Sequence, residues 1–203
     1  MEWLVWGALI LTVLAIAFAF VRARLQESGL RKPLDVIAEV PPFTLTNQLA
    51  QTVSLTNLLG QVWVADVIFT TCPMSCERMT QRMLALQKEI PVRSPVKFVS
   101  ITAYPQHDSP AVLKKYADRH GADQERWHFL TGVKRDVYEL SVNGMKFGVV
   151  ENTNRVIPDD LFIHSTHFAL VDKRGRIRGV FEGTEEEDRK ELLIAIKKLA
   201  RER

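Results

Sequence analysis

Cysteine is scarce in this chain. Its 203 residues hold two, Cys72 and Cys76, with three residues between them. That excludes a disulfide-stapled scaffold, which needs several pairs at wide spacings. A bond between these two would close a five-residue loop and contribute roughly 2 kcal/mol in the chain-entropy picture. So weak a staple points instead to chemistry: metal binding or reversible oxidation. An excess of either charge is missing too. The 27 Lys and Arg stand against 24 Asp and Glu, a net charge of +3, and the basic residues are scattered among acids. Nothing there argues for a nucleic-acid partner. No segment has the composition of a disordered tail, and no internal repeat appears. No set of four ligands can be assembled for a closed structural zinc site.

Charge is absent altogether from one long stretch. The nineteen residues from Trp3 to Val21, WLVWGALILTVLAIAFAFV, would span about 28 Å as a helix, close to the hydrocarbon thickness of a bilayer. Trp3 and Trp6 suit one interface, Arg22 and Arg24 the other. A cleaved signal peptide is the rival reading; against it, the run is long, begins without a basic stretch and shows no small-residue cleavage signal before Arg22. The expected organisation is a transmembrane anchor over 1–24, a tether over 25–40 ending in Val40-Pro41-Pro42, and one soluble domain over 41–203. Arg22, Arg24, Arg31 and Lys32 follow the span, which by the positive-inside rule would put the domain in the cytoplasm. The cysteine chemistry argues for the oxidising side. With no organelle transit sequence ahead of the span, the expected setting is a bacterial plasma membrane, crossed once; charges and cysteines disagree on the side of the domain, and it is the family resemblance carried by the motifs below that favours the extracytoplasmic face.

Periodicity orders the rest. FTLTN at 43–47 and TVSL at 52–55 pair as a hairpin. VWVADVIF at 62–69 is apolar on both faces, as in a covered central strand. TTCPMSC follows, then a helix from about Ser75 to Ile90, stopped by Pro91, on which Met79 and Met83 read as core. VKFVSI at 96–101 is a second buried strand. Ser109-Pro110 reads as a cap with proline in the first turn of a helix ending near His120-Gly121. WHFL at 127–130 is a short strand, 133–140 is helical, and 145–163, with Asn152, Asn154 and Pro158, reads as a hairpin excursion. HFALVD at 167–172 and RIRGVF at 176–181 flank a turn at Lys173-Arg174-Gly175. Thr184 to Glu187 match a capping box before a last amphipathic helix carrying Leu192, Leu193, Ile196 and Leu199. This order predicts an α/β domain of thioredoxin type, with an N-terminal transmembrane helix and a β-hairpin insertion.

The cysteines fall between a central strand and a helix, at the carboxyl end of the sheet where ligands of open α/β folds bind. Unsatisfied N–H groups and the positive end of the helix dipole stabilise a thiolate there. A thiolate both attacks disulfides and binds soft metals, and C-x-x-x-C places both sulfurs within about one helical turn. Soft thiolates favour Cu(I), and imidazole suits copper. Of the five histidines, His107 lies in a polar loop, His120 near a helix end and His128 in a short strand, where ordinary surface or capping roles suffice. His164 and His167 open a strand; their spacing puts them on opposite faces, so one of them should face the cysteines. Spacing alone does not choose between them. Thr166 stands where thioredoxin-type domains place a proline facing the cysteine pair, which favours His164. Met74, between the cysteines, reads as a spacer with a soft ligand as the alternative. A peroxidase of peroxiredoxin type would carry Thr or Ser where Phe69 stands.

Taken together, FTLTNQLAQTVSL, IFTTCPMSC, VSITAYPQHDSPAVLKKYADRHG, WHFLTG and HSTHFALVDKRGRIRGVFEG resemble the Sco (SenC) family from about Pro42 to Phe181. Members are membrane-tethered, thioredoxin-like copper chaperones that help assemble the binuclear copper centre of cytochrome c oxidase. The resemblance implies copper, as Cu(I) or Cu(II), held by Cys72, Cys76 and His164. It implies the copper-site subunit of cytochrome c oxidase as partner, with another copper chaperone or a thiol reductase beside it. The alternative is a thiol–disulfide oxidoreductase using Cys72 and Cys76 as a redox pair to reduce the cysteines of that or another extracytoplasmic copper site. The chain departs from the family at Met74 and Ile163 (often Asp), Glu77 (often Pro) and Tyr104 (usually Asp).

Overall fold

The computed structural model describes residues 2–27, 34–72, 74–151 and 162–202. The uncharged N-terminal run lies in helix α1 (Glu2–Glu27). Its large apolar side chains are exposed, among them Trp3, Trp6, Leu11, Ile16 and Phe18. Counting the described residues alone, no helix is long and apolar enough to cross a membrane; the length of the uncharged run is a property of the sequence. α1 belongs to a unit separate from the one that begins at Asp35.

In chain order the second unit contains β1 (Ala38–Glu39), β2 (Thr44–Thr46), β3 (Thr52–Ser54), α2 (Leu55–Leu58), β4 (Val62–Ile68), α3 (Ser75–Glu89), β5 (Val96–Thr102), α4 (Pro110–His120) and β6 (Trp127–Leu130). It continues with α5 (Lys134–Tyr138), a π-helical turn at Glu139–Gly144, β7 (Val149–Glu151), β8 (Phe162–His164), β9 (His167–Val171), β10 (Arg176–Glu182) and α6 (Glu186–Arg201). Six strands form the main sheet in the order β1-β10-β9-β4-β5-β6. β4, β5 and β6 run parallel, joined by α3 and α4, while β9 pairs antiparallel with β4. The expected α/β fold is therefore present. Every residue of β4 is buried, as its two-sided apolarity predicts for a strand covered on both faces.

The local devices are legible. Ser109 caps α4 by accepting from Val112 N–H, Pro110 occupies its first turn, and Gly121 ends it at φ 68°, a left-handed conformation that glycine adopts without strain. In the β9–β10 turn the Asp172 carboxylate accepts from the N–H groups of Arg174 and Arg176, and Gly175 takes φ 76°. β2 and β3 pair as expected, Thr44 opposite Ser54.

Four expectations change. The tether expected over 25–40 ends earlier, because Ala38 and Glu39 pair with Ile177 and Arg176 at the sheet edge and Val40 N–H donates to Gly175. The helix expected over 133–140 is present but runs further, α5 passing at Glu139 into the π-helical turn that ends at Gly144. Thr184 does not cap α6: its N–H and hydroxyl both donate to Glu182, and the cap position is Glu185. His164 and His167 lie in two strands, not one, because Ser165 and Thr166 separate β8 from β9. The expected hairpin insertion is β7 paired with β8; Asn152, Asn154 and Pro158 lie outside the described residues.

Candidate metal centre

The chain leaves the carboxyl end of β4 at Ile68 and turns at once, Cys72 N–H donating to Phe69 O at 3.1 Å. Ser75 then opens α3, so Cys76 sits in its first turn. Backbone donors converge on the sulfurs: Cys76 N–H reaches Cys72 Sγ at 3.4 Å, and Phe69 N–H reaches Cys76 Sγ at 3.4 Å. The Ser75 hydroxyl lies 3.3 Å from Cys72 Sγ. Cys76 is 1 % exposed, while Cys72 is half-buried and both thiols are free.

His164, the last residue of β8, arrives from the other side. Its Nε2 lies 3.3 Å from Cys76 Sγ, 4.0 Å from Cys72 Sγ and 3.4 Å from Ser75 Oγ. Its Nδ1 lies 3.0 Å from Ser165 O. A carbonyl only accepts, so Nδ1 carries a ring hydrogen, and that hydrogen bond aims Nε2 at the sulfurs. The three donor atoms lie within 4.8 Å of one another. Cys72, Cys76 and His164 are thus brought together as expected, and His167 is not among them. It is exposed, 2.9 Å from Ser165 Oγ and 3.7 Å from Glu182. His120 packs at a tilt against Tyr116 beside Glu77, and His128 lies in β6. Met74 is 72 % exposed, which suits a spacer. Glu77 lies in the first turn of α3, and the side chain of Ile163 is outside the described set.

The two thiols are unequal. Cys72 is drawn far below the ordinary thiol range, chiefly because Cys76 donates to it, with His164, Ser75 and the Cys76 N–H adding to the effect against partial burial. Cys76 is pushed up, first by burial and then by giving its hydrogen to Cys72. The pair therefore presents one accessible thiolate and one buried thiol, an asymmetry suited to nucleophilic attack and to capture of a soft cation.

Two acids that matter here escaped the sequence reading. Asp66 hides inside the apolar run of β4. It is fully buried, and among the described residues neither carboxylate oxygen has a hydrogen-bond partner. Burial raises its pKa to about 7, with Ser100 and His164 offsetting only part of the effect. Asp108, also fully buried, accepts from Thr70 N–H at 3.1 Å, from Thr70 Oγ1 at 2.5 Å and from Thr102 Oγ1 at 2.5 Å. It also pairs with His107 Nδ1 at 2.9 Å. It thereby ties the loop before Cys72 to the end of β5. A charged residue inside a two-sided apolar strand, and an acid just before a proline-started helix, were the available signals.

A cluster of two thiols and an imidazole at the head of the helix after the central strand, on a thioredoxin-type sheet, puts the chain in the class of thiol-bearing domains with a donor set that could hold a soft metal ion. Within that class the family is clear. The sequence matches SCO1/SenC over residues 32–201, and the chain belongs to that family. It is 33% identical over 170 residues to the SCO1 protein homolog of Bacillus subtilis strain 168, covering 83% of this chain and 85% of that protein. The crystal structure of a SCO1/SenC family lipoprotein from Bacillus anthracis superposes with a TM-score of 0.72 at 31% identity, over 84% of this chain and 98% of that one. BsSco, described as having a disulfide switch and as a member of the Sco family of cytochrome c oxidase assembly proteins, superposes with a TM-score of 0.68 at 30% identity, over 82% and 96% of the two chains.

Proposed function

We propose that the protein is a copper metallochaperone. It holds one copper ion through the Cys72 and Cys76 sulfurs and His164 Nε2, and passes it to the copper-site subunit of cytochrome c oxidase. The observation that carries this reading is the convergence of those three donors within 4.8 Å. Two sulfurs and one ring nitrogen are a soft set suited to copper, and three ligands leave room for an acceptor's donor to enter as one of them leaves. Cys72, already thiolate, meets the cation first. Cys76 gives up its proton as it joins, so loading releases acid. The oxidase as destination rests on the family and on what is said of BsSco.

In the same reading, α1 anchors the protein in a bacterial plasma membrane with the domain outside. The uncharged run and the exposed apolar surface of the helix support this. Labelling of Cys72 in intact cells by a membrane-impermeant thiol reagent tests the orientation; labelling only after lysis would reverse it.

Copper titration of the reduced full-length protein in detergent, beside His164→Ala, tests the site. One copper per chain, with a sulfur-to-Cu(II) absorption that changes in the variant, is expected. Binding indifferent to His164 would favour the second reading, a thiol–disulfide oxidoreductase. The unequal thiols favour that reading specifically: thiolate Cys72 attacks a partner disulfide, then Cys76 attacks Cys72 and releases the reduced partner as the Cys72–Cys76 disulfide forms.

A further inference from the structure

His164 needs holding. Its strand, β8, lies outside the main sheet and, among the described residues, pairs with β7 alone, as a two-stranded ladder of three residue pairs. An isolated two-stranded hairpin is marginal in water, and a ligand loosely held contributes little affinity. Something beyond the ladder must therefore aim the ring.

Phe162 is two residues earlier on the same strand, and so on the same face as His164. Its side chain is buried, 7 % exposed, between two rings from other parts of the chain. Phe69 meets it edge-on at 5.4 Å, and Tyr104 lies tilted at 5.4 Å. Both neighbours are fixed. Phe69 follows β4, donates its N–H to Cys76 Sγ, and packs edge-on against His164 itself at 5.6 Å. Tyr104 follows β5 and stacks at 5.4 Å on His107, which Asp108 holds. The same Asp108 holds Thr70 of the cysteine loop.

We propose that Phe162, clamped between Phe69 and Tyr104, is the positioning residue that directs His164 Nε2 at the Cys72 and Cys76 sulfurs. It touches no copper; it sets the angle and reach of the imidazole through the strand they share. Tyr104 stands where the family usually has Asp, and its ring is half of the clamp, so this departure exchanges a charge near the site for a packing contact. The clamp bears on the nitrogen ligand alone. Two thiolates suffice to retain Cu(I), whereas Cu(II) draws more on imidazole. Loosening the clamp should therefore separate the two oxidation states.

The proposal rests on the copper reading, and the test keeps the two apart. In the full-length protein, Phe162→Ala is expected to weaken Cu(II) binding by about ten- to a hundredfold, the range seen when the groups orienting a ligand are removed. It should also move the sulfur-to-Cu(II) band toward that of His164→Ala, with Cu(I) affinity changed much less. Phe162→Tyr, which keeps the ring, should restore the wild-type band. A Tyr104→Ala variant attacks the clamp from its other side and should shift the band in the same direction even if Phe162→Ala fails to fold. In the reduced, metal-free protein, the NMR cross-peaks between the His164 ring and the Cys76 β-protons should vanish in Phe162→Ala and persist in Phe162→Tyr. A wild-type Cu(II) band in both alanine variants, or unchanged cross-peaks in the metal-free Phe162→Ala protein, overturns the proposal. If the wild-type protein binds no copper, the copper reading falls, and the cross-peaks still decide the role of Phe162.

Discussion

The two halves of the centre are built differently. The cysteine half sits between the buried central strand β4 and α3, and backbone N–H groups point at both sulfurs. Asp108 fastens the loop that leads into it. The histidine half stands on β8, a three-residue strand in a hairpin outside the main sheet, aimed by aromatic packing. One half draws its precision from the core of the domain, the other from a peripheral wedge. A ligand set divided in this way can loosen one donor while the other two stay in place, which suits a carrier that must both hold and release.

The contrast can be broken most severely at the sulfurs. Cys72→Ser or Cys76→Ser should weaken copper binding by more than about a hundredfold, since a hydroxyl is a poor ligand for a soft cation. Competition with a Cu(I) chelator measures it, and wild-type affinity in either variant would end the metal-site model.

Next comes the acid under the cysteine half. Asp66 titrates from 3.8 in its ordinary state to about 7 in the fold, a difference worth about 4 kcal/mol. Below the unfolded value both states are protonated. Between the two values the native chain keeps a proton that the unfolded chain has released, so stability falls as pH rises, and the loss is complete above about pH 7. Urea unfolding of Asp66→Asn should show a smaller fall than wild type between pH 4 and 7. Parallel curves for the two proteins would refute the assignment.

Asp108→Ala should cost about 2–3 kcal/mol of stability, because it leaves Thr70 and Thr102 donors unpaired in the interior. It should also blur the separation of the two thiol titrations, which thiol alkylation rates against pH would show. The smallest effect on the fold belongs to the peripheral half. His164→Ala should change unfolding free energy by less than about 0.5 kcal/mol, yet weaken Cu(II) binding by about tenfold or more. A large loss of stability in that variant would mean that the histidine half belongs to the core after all.

What the sequence showed follows the same division. Long apolar runs announced β4, β5 and β9, and Ser109-Pro110 and Gly121 bracketed α4, because burial and capping leave local patterns. The two-residue strand β1 left none and was hidden in the tether. Position relative to Thr166 and the family motif single out His164, but nothing local shows that His164 and His167 lie in two strands. Asp66 is masked by the apolar run that surrounds it in β4. The Asp108–Thr70 tie joins residues 38 apart, and the Phe162 clamp joins three segments; neither has a local signature, since each exists only after tertiary packing.

The distance along the chain between the halves has a consequence in time. His164 lies 92 residues after Cys72 and 88 after Cys76. At ordinary synthesis rates, both thiols are made about 5–20 s before the imidazole that joins them. Every newborn molecule thus begins as a bare dithiol, open to oxidants and to any soft metal. It becomes a three-donor centre only after the hairpin that carries His164 has been made and has docked.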